Sequence, residues 1–430
     1  MSSGKVKTKT NAKVSPVIYL DNNGTTLICD DAAKEYAARL KCYNPAADSA
    51  SAKSAQSMIK KAKKYVQTLC NADKYEVIFT SGASESNCYI LRSTVSSYAR
   101  ILKAKPHLVV SAIEHHSILE CCHSLELCKT AEVTYVQPNI YGVISPESVS
   151  AAIKKNTCLV SIMYANNEIG SVNNIPAISK VVRGRKVAFH SDCVQMFGRY
   201  RLNLEKTGLD AISASFHKLY GPKGIGLLLI KKTFIKGYDL QGLINGSQQN
   251  GLRGGTENMP AIASAYSAMK WNFRNRQVKN KKLQAMCDNT IATLSKHIKQ
   301  GEYKLYTSSA NTPVMDLPPF EMVVLGPDRS KKGYRIPNTL LIAFVKNTGK
   351  AFCNVNFKKA LEKEGIIVSI SSACLTSSTN ASHVLTAIGA SKSIKTGVIR
   401  VSFSDYNSQR DVVRFCAACV RILKKQKIQL

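Results

Sequence analysis

The chain has 430 residues, a hydrophobic content of 44% and a formal net charge of +32. This length can bury a large core and predicts two domains. No window holds the roughly eighteen consecutive apolar residues of a membrane helix, and the N-terminus lacks the apolar core of a secretory signal, so we expect no contact with a membrane. Fourteen cysteines without regular spacing predict free thiols in a reducing compartment rather than a disulfide framework.

Residues 1–16 contain Lys, Ser and Thr but no acidic residue, and we interpret them as a disordered basic tail. The tail has neither the arginines nor the amphipathic helix of a mitochondrial presequence, so a cytoplasmic location is favoured. Cys416 and Cys419 are the one cysteine pair with C-x-x-C spacing, and they lie in an apolar, helix-like segment. No second pair lies nearby, and the sequence therefore predicts no metal site.

Lysines are spread along the whole chain, as at residues 60–64, 281–282 and 424–427. A diffuse positive field attracts any polyanion but specifies none. Two interpretations stay open: a solvated basic surface, and non-specific association with nucleic acid. No zinc-finger or RNA-recognition signature is visible.

From Val17 onward, short apolar strands alternate with helical patterns such as "SPESVSAAIKKN" and "IPAISKVVRGR". The strands are predicted in the stretches "YEVIFTSG", "HLVVSAIEHHS", "CLVSIMYANNEIG", "KVAFHSDCVQ", "LDAISASFHK" and "GIGLLLI". Apolar strands that alternate with helices predict an α/β fold with a mostly parallel sheet. Functional residues of such sheets gather beyond the strand ends, where the polar residues of these stretches lie.

The alternation of short strands and helices ends after Trp271. A long basic helical segment runs to about Lys299, and a stretch rich in Pro, Ser and Gly follows it. The strand-like segments "NTLLIAFV", "IIVSISSACLTSS" and "VIRVSFSDYN" then predict a smaller α+β domain. We place the large domain at residues 30–271 and the small domain at 272–430, with residues 17–29 joining the small domain.

Lys218 stands in "ASFHKLYGPKGIG", between two apolar runs and before a glycine-rich turn. It fits either a loop lysine or an amine at the edge of a pocket. An aldehyde cofactor with a phosphate and a pyridine ring needs a lysine for a Schiff base, an acid at the ring nitrogen and a helix start for the phosphate. Lys218, Asp192 and the turn at residues 81–84 match these needs. Each also has a structural interpretation: a loop, a helix cap and a plain strand–helix turn.

The motifs together decide between these interpretations, because the chain resembles the cysteine desulfurases, pyridoxal-phosphate enzymes of the class V aminotransferase group. The resemblance covers about residues 17–425, apart from a loop around 306–336. It is carried by nine ordered motifs: "YLDNNGTT", "FTSGASES", "AIEHHSILE", "VSIMYANNEIG", "HSDCVQ", "SASFHKLYGPKGIG", "NGLRGGTEN", "VSISSACLTSS" and "IRVSF".

The resemblance implies fold type I of the pyridoxal-phosphate transferases, with a mostly parallel seven-stranded sheet in the large domain and a smaller α+β C-terminal domain. It implies a sulfurtransferase that converts L-cysteine to L-alanine and leaves a persulfide on Cys374, in a loop of the small domain. The sulfur would serve iron–sulfur cluster assembly or another thiolation pathway, through a protein acceptor that the sequence does not identify.

The resemblance also implies a role for each matching residue. Lys218 would form the Schiff base, His115 would stack on the pyridine ring and assist proton transfer, and Asp192 would pair with the ring nitrogen. Other side chains would bind the ring hydroxyl, the phosphate and the substrate, with Asn167 beside the cofactor as well. They are Gln195 for the hydroxyl, Ala83, Ser84, Ser215 and His217 for the phosphate, and Asn167 and Arg400 for the substrate. Thr256 would reach the phosphate of a neighbouring subunit, which implies a homodimer.

Four positions depart from the family pattern. The segment "YNPAADSASAKSA" has no histidine after its Asn-Pro, Ser371 replaces a loop glycine, and "RGGT" and "NGSQQ" are variants of family motifs. A selenocysteine lyase or another class V enzyme would use the same residues and stays an alternative. A basic, nucleic-acid-associated protein that retains the fold is the alternative from a different class.

Overall fold

The computed structural model describes residues 16–302, 320–328, 334–346, 353–370 and 382–428. Cys374 and Ser371 lie outside the described residues, as does nearly all of the basic tail. None of the described helices is long and apolar enough to cross a membrane. All thirteen cysteines of the described residues are free thiols, and both Cys416 and Cys419 are buried.

The larger sheet has seven strands, which confirms the predicted architecture. Numbered in chain order and given in spatial order, they are β2 (Tyr75–Thr80), β8 (Gly226–Lys231), β7 (Ala211–Ser215), β6 (Ala188–Asp192), β5 (Thr157–Ser161), β3 (His107–Ser111) and β4 (Glu132–Val136). Strand β8 runs antiparallel to both of its neighbours, and the other neighbouring pairs are parallel. The sheet is therefore mostly parallel, as predicted.

Helices cover both faces of this sheet. They are α1 (Asp30–Ala38), α2 (Ala50–Cys70), α3 (Ala83–Leu102), α4 (His116–Leu127), α5 (Pro146–Ala152), α6 (Ile175–Gly184), α7 (Leu204–Thr207), α8 (Lys232–Tyr238) and α9 (Met259–Phe273). Alternate strand residues enter different cores: Val109 and Ile212 pack into one cluster, whereas Leu108 and Ala211 pack into the other. Because both faces are buried, strands such as β3, β5 and β8 are largely apolar instead of alternating with polar residues.

The second sheet has four strands in the order β13 (Val398–Ser402), β11 (Thr339–Lys346), β10 (Phe320–Leu325) and β9 (Lys299–Gly301). Strand β11 is antiparallel to β10 and β13, and β9 is parallel to β10. The remaining helices are α10 (Arg276–Ser295), α11 (Asn354–Lys363), α12 (His383–Ala387), α13 (Lys392–Gly397) and α14 (Gln409–Ile428). A separate apolar cluster that includes Leu340, Phe344 and Phe415 forms the core here.

The segment 18–26 connects the two sheets. Strand β1 (Ile18–Tyr19) pairs with β12 (Ile366–Ile367), and the Ser402 N–H at the end of β13 donates to the Leu20 carbonyl at 2.7 Å. Further along, the Thr26 N–H donates to the His217 carbonyl at 2.9 Å. The chain between these contacts therefore passes directly beside Lys218. The domain boundaries themselves stay a prediction.

Candidate active site

A cavity of about 550 Å³ lies beyond the ends of β2, β5, β6 and β7, where sheets of this type bind ligands. Arg400 of β13 reaches it from the other sheet. The structure brings ten of the predicted site residues to this cavity: Ala83, Ser84, His115, Asn167, Asp192, Gln195, Ser215, His217, Lys218 and Arg400. Thr256 does not line it and is exposed to solvent. The roles of all these residues stay proposals.

Lys218 lies at the end of a short 3-10 turn that follows β7. Its Nζ donates to the Asn23 carbonyl at 2.6 Å and to the Gly24 carbonyl. Burial, with the guanidinium groups of Arg400 and Arg199, lowers the pKa of Lys218 to about 8. A lysine with a lowered pKa is neutral more often near neutral pH, and the neutral amine is the form that attacks a carbonyl.

The glycines after Lys218 allow a close backbone approach. A Cβ on Gly226 would collide with the backbone of Gly82, which belongs to the turn before α3. Gly226 starts β8, and β8 pairs with β2 directly ahead of that turn. Any larger residue would push the turn out of the cavity wall.

The turn at residues 81–84 forms one end of the cavity. Helix α3 starts at Ala83, and its N-cap residue Gly82 offers no side-chain cap. Glu85 accepts the Ser81 N–H at 2.7 Å and forms an ion pair with Arg253 at 3.0 Å. The first N–H groups of a 20-residue helix therefore lie beside the cavity, which suits a phosphate group.

His217 and Ser215 complete this end. Ser215 is buried at the end of β7, and the His217 ring lies 3.1 Å from the Thr25 hydroxyl through its Nδ1. Burial and the charges of Lys218 and Lys223 lower the pKa of His217 to about 4. The ring is therefore neutral at pH 7 and can serve as a hydrogen-bonding group without adding charge.

Asp192 and His115 form the wall of the cavity. The buried Asp192 carboxylate accepts hydrogen bonds from Asn87 Nδ2 at 2.8 Å and from the Val194 N–H at 2.9 Å. His115 caps α4, and its Nδ1 accepts the Ser117 N–H at 3.1 Å. Burial lowers the pKa of His115, although Asp192 opposes this. Because Nδ1 accepts the Ser117 N–H, the proton of the neutral imidazole lies on Nε2.

The opposite end of the cavity carries charge. Arg400 donates from Nη2 to Asp21 Oδ1 at 2.6 Å and from Nη1 to the Asn167 carbonyl at 3.2 Å. Asn167 is half-buried and lines the cavity beside it. A guanidinium in this position can bind a carboxylate, which would compete with Asp21 for its donors.

The residues fit pyridoxal phosphate. The volume is typical of a small-molecule site. Gln195 Oε1 and Arg400 Nε are buried without a hydrogen-bond partner among the described residues, which indicates that a polar ligand belongs there. The lysine amine, the buried carboxylate and the open helix start match the aldehyde, the pyridine nitrogen and the phosphate of this cofactor.

Four further residues were not assigned from the sequence. Asn23 is 1% exposed, and its side chain donates to the Asn167 carbonyl at 2.9 Å and to Thr339 Oγ1 at 2.7 Å. Asp21 orients Arg400, and Arg199 lies buried behind Lys218. The motif "YLDNNGTT" indicated that residues 19–26 matter, but the side-chain contacts of Asp21 and Asn23 depend on the other sheet.

The fourth is Glu114, which is completely buried next to His115. Its Oε1 accepts the Met163 N–H at 2.7 Å and a hydrogen bond from the Ser111 hydroxyl, while Oε2 has no partner among the described residues. Burial raises the pKa of Glu114 to about 8, against the effect of these two hydrogen bonds. Glu114 is therefore neutral at pH 7.

Known proteins resemble this chain over most of its length. Residues 18–315 match the family model described as aminotransferase class-V. A cysteine desulfurase IscS of Dictyoglomus turgidum is 32% identical over 411 residues, which are 95% of each chain. The solved structure of a NifS-like protein has a TM-score of 0.79 at 28% identity, over 95% of this chain and 99% of the other.

A second solved structure, SspA in complex with cysteine, is 28% identical with a TM-score of 0.71, over 91% of this chain and 100% of the other. The similarity thus extends over both sheets rather than over one motif. The chain belongs to the class V aminotransferase family and, within it, to the group of the cysteine desulfurases.

Proposed function

We propose that the protein is a pyridoxal-phosphate-dependent cysteine desulfurase that converts L-cysteine to L-alanine and keeps the sulfur as a persulfide on Cys374. The observation that carries the proposal is the convergence of Lys218, Asp192 and Arg400 on one cavity, although they come from three separate parts of the chain. An amine, an acid and a guanidinium in this arrangement suit an amino-acid substrate on an aldehyde cofactor.

Pyridoxal phosphate, when bound, supplies an electron sink that stabilises negative charge on the substrate's carbon atoms. The α3 N-terminus, Ser215 and His217 would hold its phosphate, Asp192 would pair with the ring nitrogen, and Gln195 would offer its unpartnered amide oxygen to the ring hydroxyl. The buried Asp192 carboxylate is already oriented by Asn87, so it needs no rearrangement to meet a protonated ring nitrogen.

Two residues can handle protons near the reacting atoms. Lys218, with its lowered pKa, can accept or return a proton near pH 8. His115 presents a neutral ring with its proton on Nε2, because Nδ1 is occupied by the Ser117 N–H. Arg400 would bind the substrate carboxylate through the donors that Asp21 now shares, with Asn167 alongside.

Cys374 would receive the sulfur. The sulfur atom leaves Cβ of the substrate for the Cys374 thiolate, a proton takes its place on Cβ, and the products are alanine and a Cys374 persulfide. Thiolate character controls such an attack. The same site geometry would serve a selenocysteine lyase, so comparing turnover of cysteine and selenocysteine separates the two reactions.

A homodimer is part of the proposal. Thr256 is exposed in a segment whose neighbours Leu243 and Ile244 are 39% and 41% exposed, and the Gly254 N–H donates to the Ile244 carbonyl at 2.8 Å. An ordered, partly apolar segment of this kind suits a contact with a second subunit, where Thr256 would meet the partner's phosphate. Sedimentation at several protein concentrations measures this association.

The experiment that tests the function compares the natural protein with Cys374→Ser. Both should gain visible absorbance with pyridoxal phosphate, but only the natural protein should release alanine from cysteine under reducing conditions. Mass spectrometry without reductant should find one extra sulfur on the Cys374 peptide. Full alanine release by the serine variant, or sulfur mainly on Cys416 or Cys419, would contradict the assignment of Cys374.

A further inference from the structure

Arg199 is buried, with 6% of its surface exposed, yet it binds no carboxylate. Its Nε, Nη1 and Nη2 donate to Asn338 Oδ1 at 2.9 Å, the Gln195 carbonyl at 3.3 Å and Asn23 Oδ1 at 3.0 Å. None of the ion pairs found in the described ranges includes Arg199. A buried cation that meets only neutral oxygen atoms is costly to the fold, so its position calls for a functional reason.

The backbone holds Arg199 tightly against the Lys218 turn. Gly198 has a φ of +90°, and a Cβ there would lie 2.7 Å from the Leu219 Cβ. The Gly198 carbonyl accepts from Asn272 Nδ2 at 2.6 Å, and the Arg199 carbonyl accepts from Asn280 Nδ2 at 2.6 Å. The chain at residues 198–199 is thus fixed on the residue that follows Lys218.

Asn23 connects the two cations. Its Oδ1 accepts from Arg199, and its backbone carbonyl accepts from Lys218 Nζ at 2.6 Å. Arg199 and Lys218 also line a common small cavity of about 10 Å³, separate from the main cavity and large enough for about one water molecule. Arg199 therefore lies on the side of Lys218 that points away from the main cavity, whereas the cofactor would reach Lys218 from the main cavity.

The other charges around Lys218 act on its pKa in both directions. Arg400 repels a protonated Lys218, but it is bound to Asp21 at 2.6 Å, and Asp21 has the opposite effect on the lysine. Asp192 also attracts a protonated Lys218. Three further titratable groups stand nearby, of which the two histidines have lowered pKa values: His115, His217 and Lys223.

Arg199 has no such partner. The carboxylate that acts on it is Asp405, and Asp405 is already shared by Arg276 at 3.0 Å and Lys279 at 3.6 Å. The positive charge of Arg199 is thus left to act on Lys218 through a buried region, where charges interact more strongly than in water.

We propose that Arg199 is a positioning residue for Lys218: its buried charge adds to the effect of burial in increasing the neutral fraction of the lysine amine, the form that attacks a carbonyl, and its hydrogen bond fixes Asn23, which holds that amine. The inference rests on the proposed function only in the role that it gives to Lys218. It adds a residue that is not among those lining the main cavity.

Two variants separate charge from hydrogen bonding. Arg199→Gln and Arg199→Lys both shorten the side chain and both retain an N–H donor, but only lysine can carry a positive charge. The full-length protein, freed of bound cofactor, is treated with trace acetic anhydride across a range of pH, and acetylation of Lys218 is measured by mass spectrometry. The exposed Lys53 in the same sample serves as the internal reference.

The acetylation midpoint of Lys218 is expected near pH 8 in the natural protein and in Arg199→Lys. It is expected about one pH unit higher in Arg199→Gln, because a repelling charge has been removed. An unchanged midpoint in the glutamine variant would overturn the proposal. An equal rise in both variants would also overturn it, since the charge would then be irrelevant.

A measurement on the natural protein keeps the proposal testable if Arg199→Gln fails to fold. Salt screens the exposed charges that give the chain its +32 but screens a buried pair much less. The midpoint should therefore move by less than about 0.2 unit between about 0.05 M and 0.5 M salt. A rise of more than about half a unit would assign the effect to the surface charge and reject Arg199. Return of visible absorbance with pyridoxal phosphate tests the proposed function separately.

Discussion

The two ends of the active-site cavity are built in different ways. The end beside α3 is built mainly on the larger sheet: the turn at residues 81–84, Ser215 and the neutral His217, whose ring meets Thr25 of segment 18–26. The end beside Arg400 uses both sheets and carries several charges, with Asp21 and Asn23 between Lys218 and β13. The first end contains no residue of β13, whereas the second exists only when β13 lies against the larger sheet and segment 18–26.

This difference predicts where a change in packing is felt. A substitution that disturbs the contacts between the sheets should alter substrate binding and the environment of Lys218 more than it alters phosphate binding. The contacts that join the sheets are buried hydrogen bonds of Asn23. Asn23 donates to the hydroxyl groups of Ser402 and Thr339. Its side-chain oxygen accepts hydrogen bonds from Arg199 and Asn338. The following variants test how separate the two ends are.

The largest effect is expected for Lys218→Ala. Without the amine no covalent link to pyridoxal phosphate can form, so borohydride treatment should leave no cofactor on the denatured variant. The phosphate end is untouched, and the variant should still bind the cofactor reversibly. Lys223→Ala is the matched control, because Lys223 lines the same cavity and follows the same turn. If the cofactor were covalently fixed to the Lys218→Ala variant but not to the Lys223→Ala variant, Lys223 would be the Schiff-base lysine instead of Lys218.

How much of this site can be predicted from the sequence depends on how far apart in the chain the contacting residues are. Lys218, Asp192 and the turn at 81–84 follow strands whose apolar patterns mark their ends, so the pattern predicts that they meet. Lys218 and Asn23 are 195 positions apart, and Asn23 and Asn338 are 315 apart. No local pattern reports such contacts, and the roles of Asn23 and Arg199 were missed for that reason.

The fold shows the same limit. Strand β8 was predicted from "GIGLLLI", but an apolar run reads alike in both directions, so its antiparallel orientation could not be predicted. Strand β4 lies at the edge of the sheet and is mostly half-buried, and its sequence "EVTYV" lacks the continuous apolar character of the central strands. Strand order and direction come from packing that local patterns do not encode.

A smaller effect is expected for Arg400→Lys. A lysine cannot bind the substrate carboxylate through two parallel donors, and the loss of one charged hydrogen bond costs about 1.5–3 kcal/mol. The value of kcat/KM for cysteine should fall roughly 10- to 150-fold, while the visible absorbance of bound cofactor remains. Steady-state alanine release at varied cysteine concentration measures this.

The matched control is Arg253→Lys at the other end of the cavity. Arg253 also binds a carboxylate, that of Glu85, but this pair supports the start of α3. Weaker retention of the cofactor, rather than weaker use of cysteine, is expected from this variant. If both variants impaired cofactor and cysteine binding alike, the two ends would be one coupled unit and the comparison would be wrong.

The smallest effect is expected for Glu114→Gln, and it is seen in stability rather than in the reaction. Glu114 is buried next to His115 of the cavity wall, and its backbone carbonyl accepts a hydrogen bond from His383 Nε2 at 2.8 Å. Its folded pKa is about 8, above the ordinary value of 4.5. Between these values the folded protein binds more protons than the unfolded chain, so the free energy of unfolding falls as pH rises.

Glutamine cannot ionise, so the variant should lose this part of the pH dependence. The difference in slope should be at most about 1.4 kcal/mol per pH unit between pH 5.5 and 7.5. Urea unfolding at three pH values in this range measures it, with Glu147→Gln as the control because Glu147 is exposed on α5. Parallel pH profiles for the natural protein and Glu114→Gln would show that Glu114 is already ionised in the folded state. The buried region next to His115 would then carry a negative charge that neighbouring groups must stabilise.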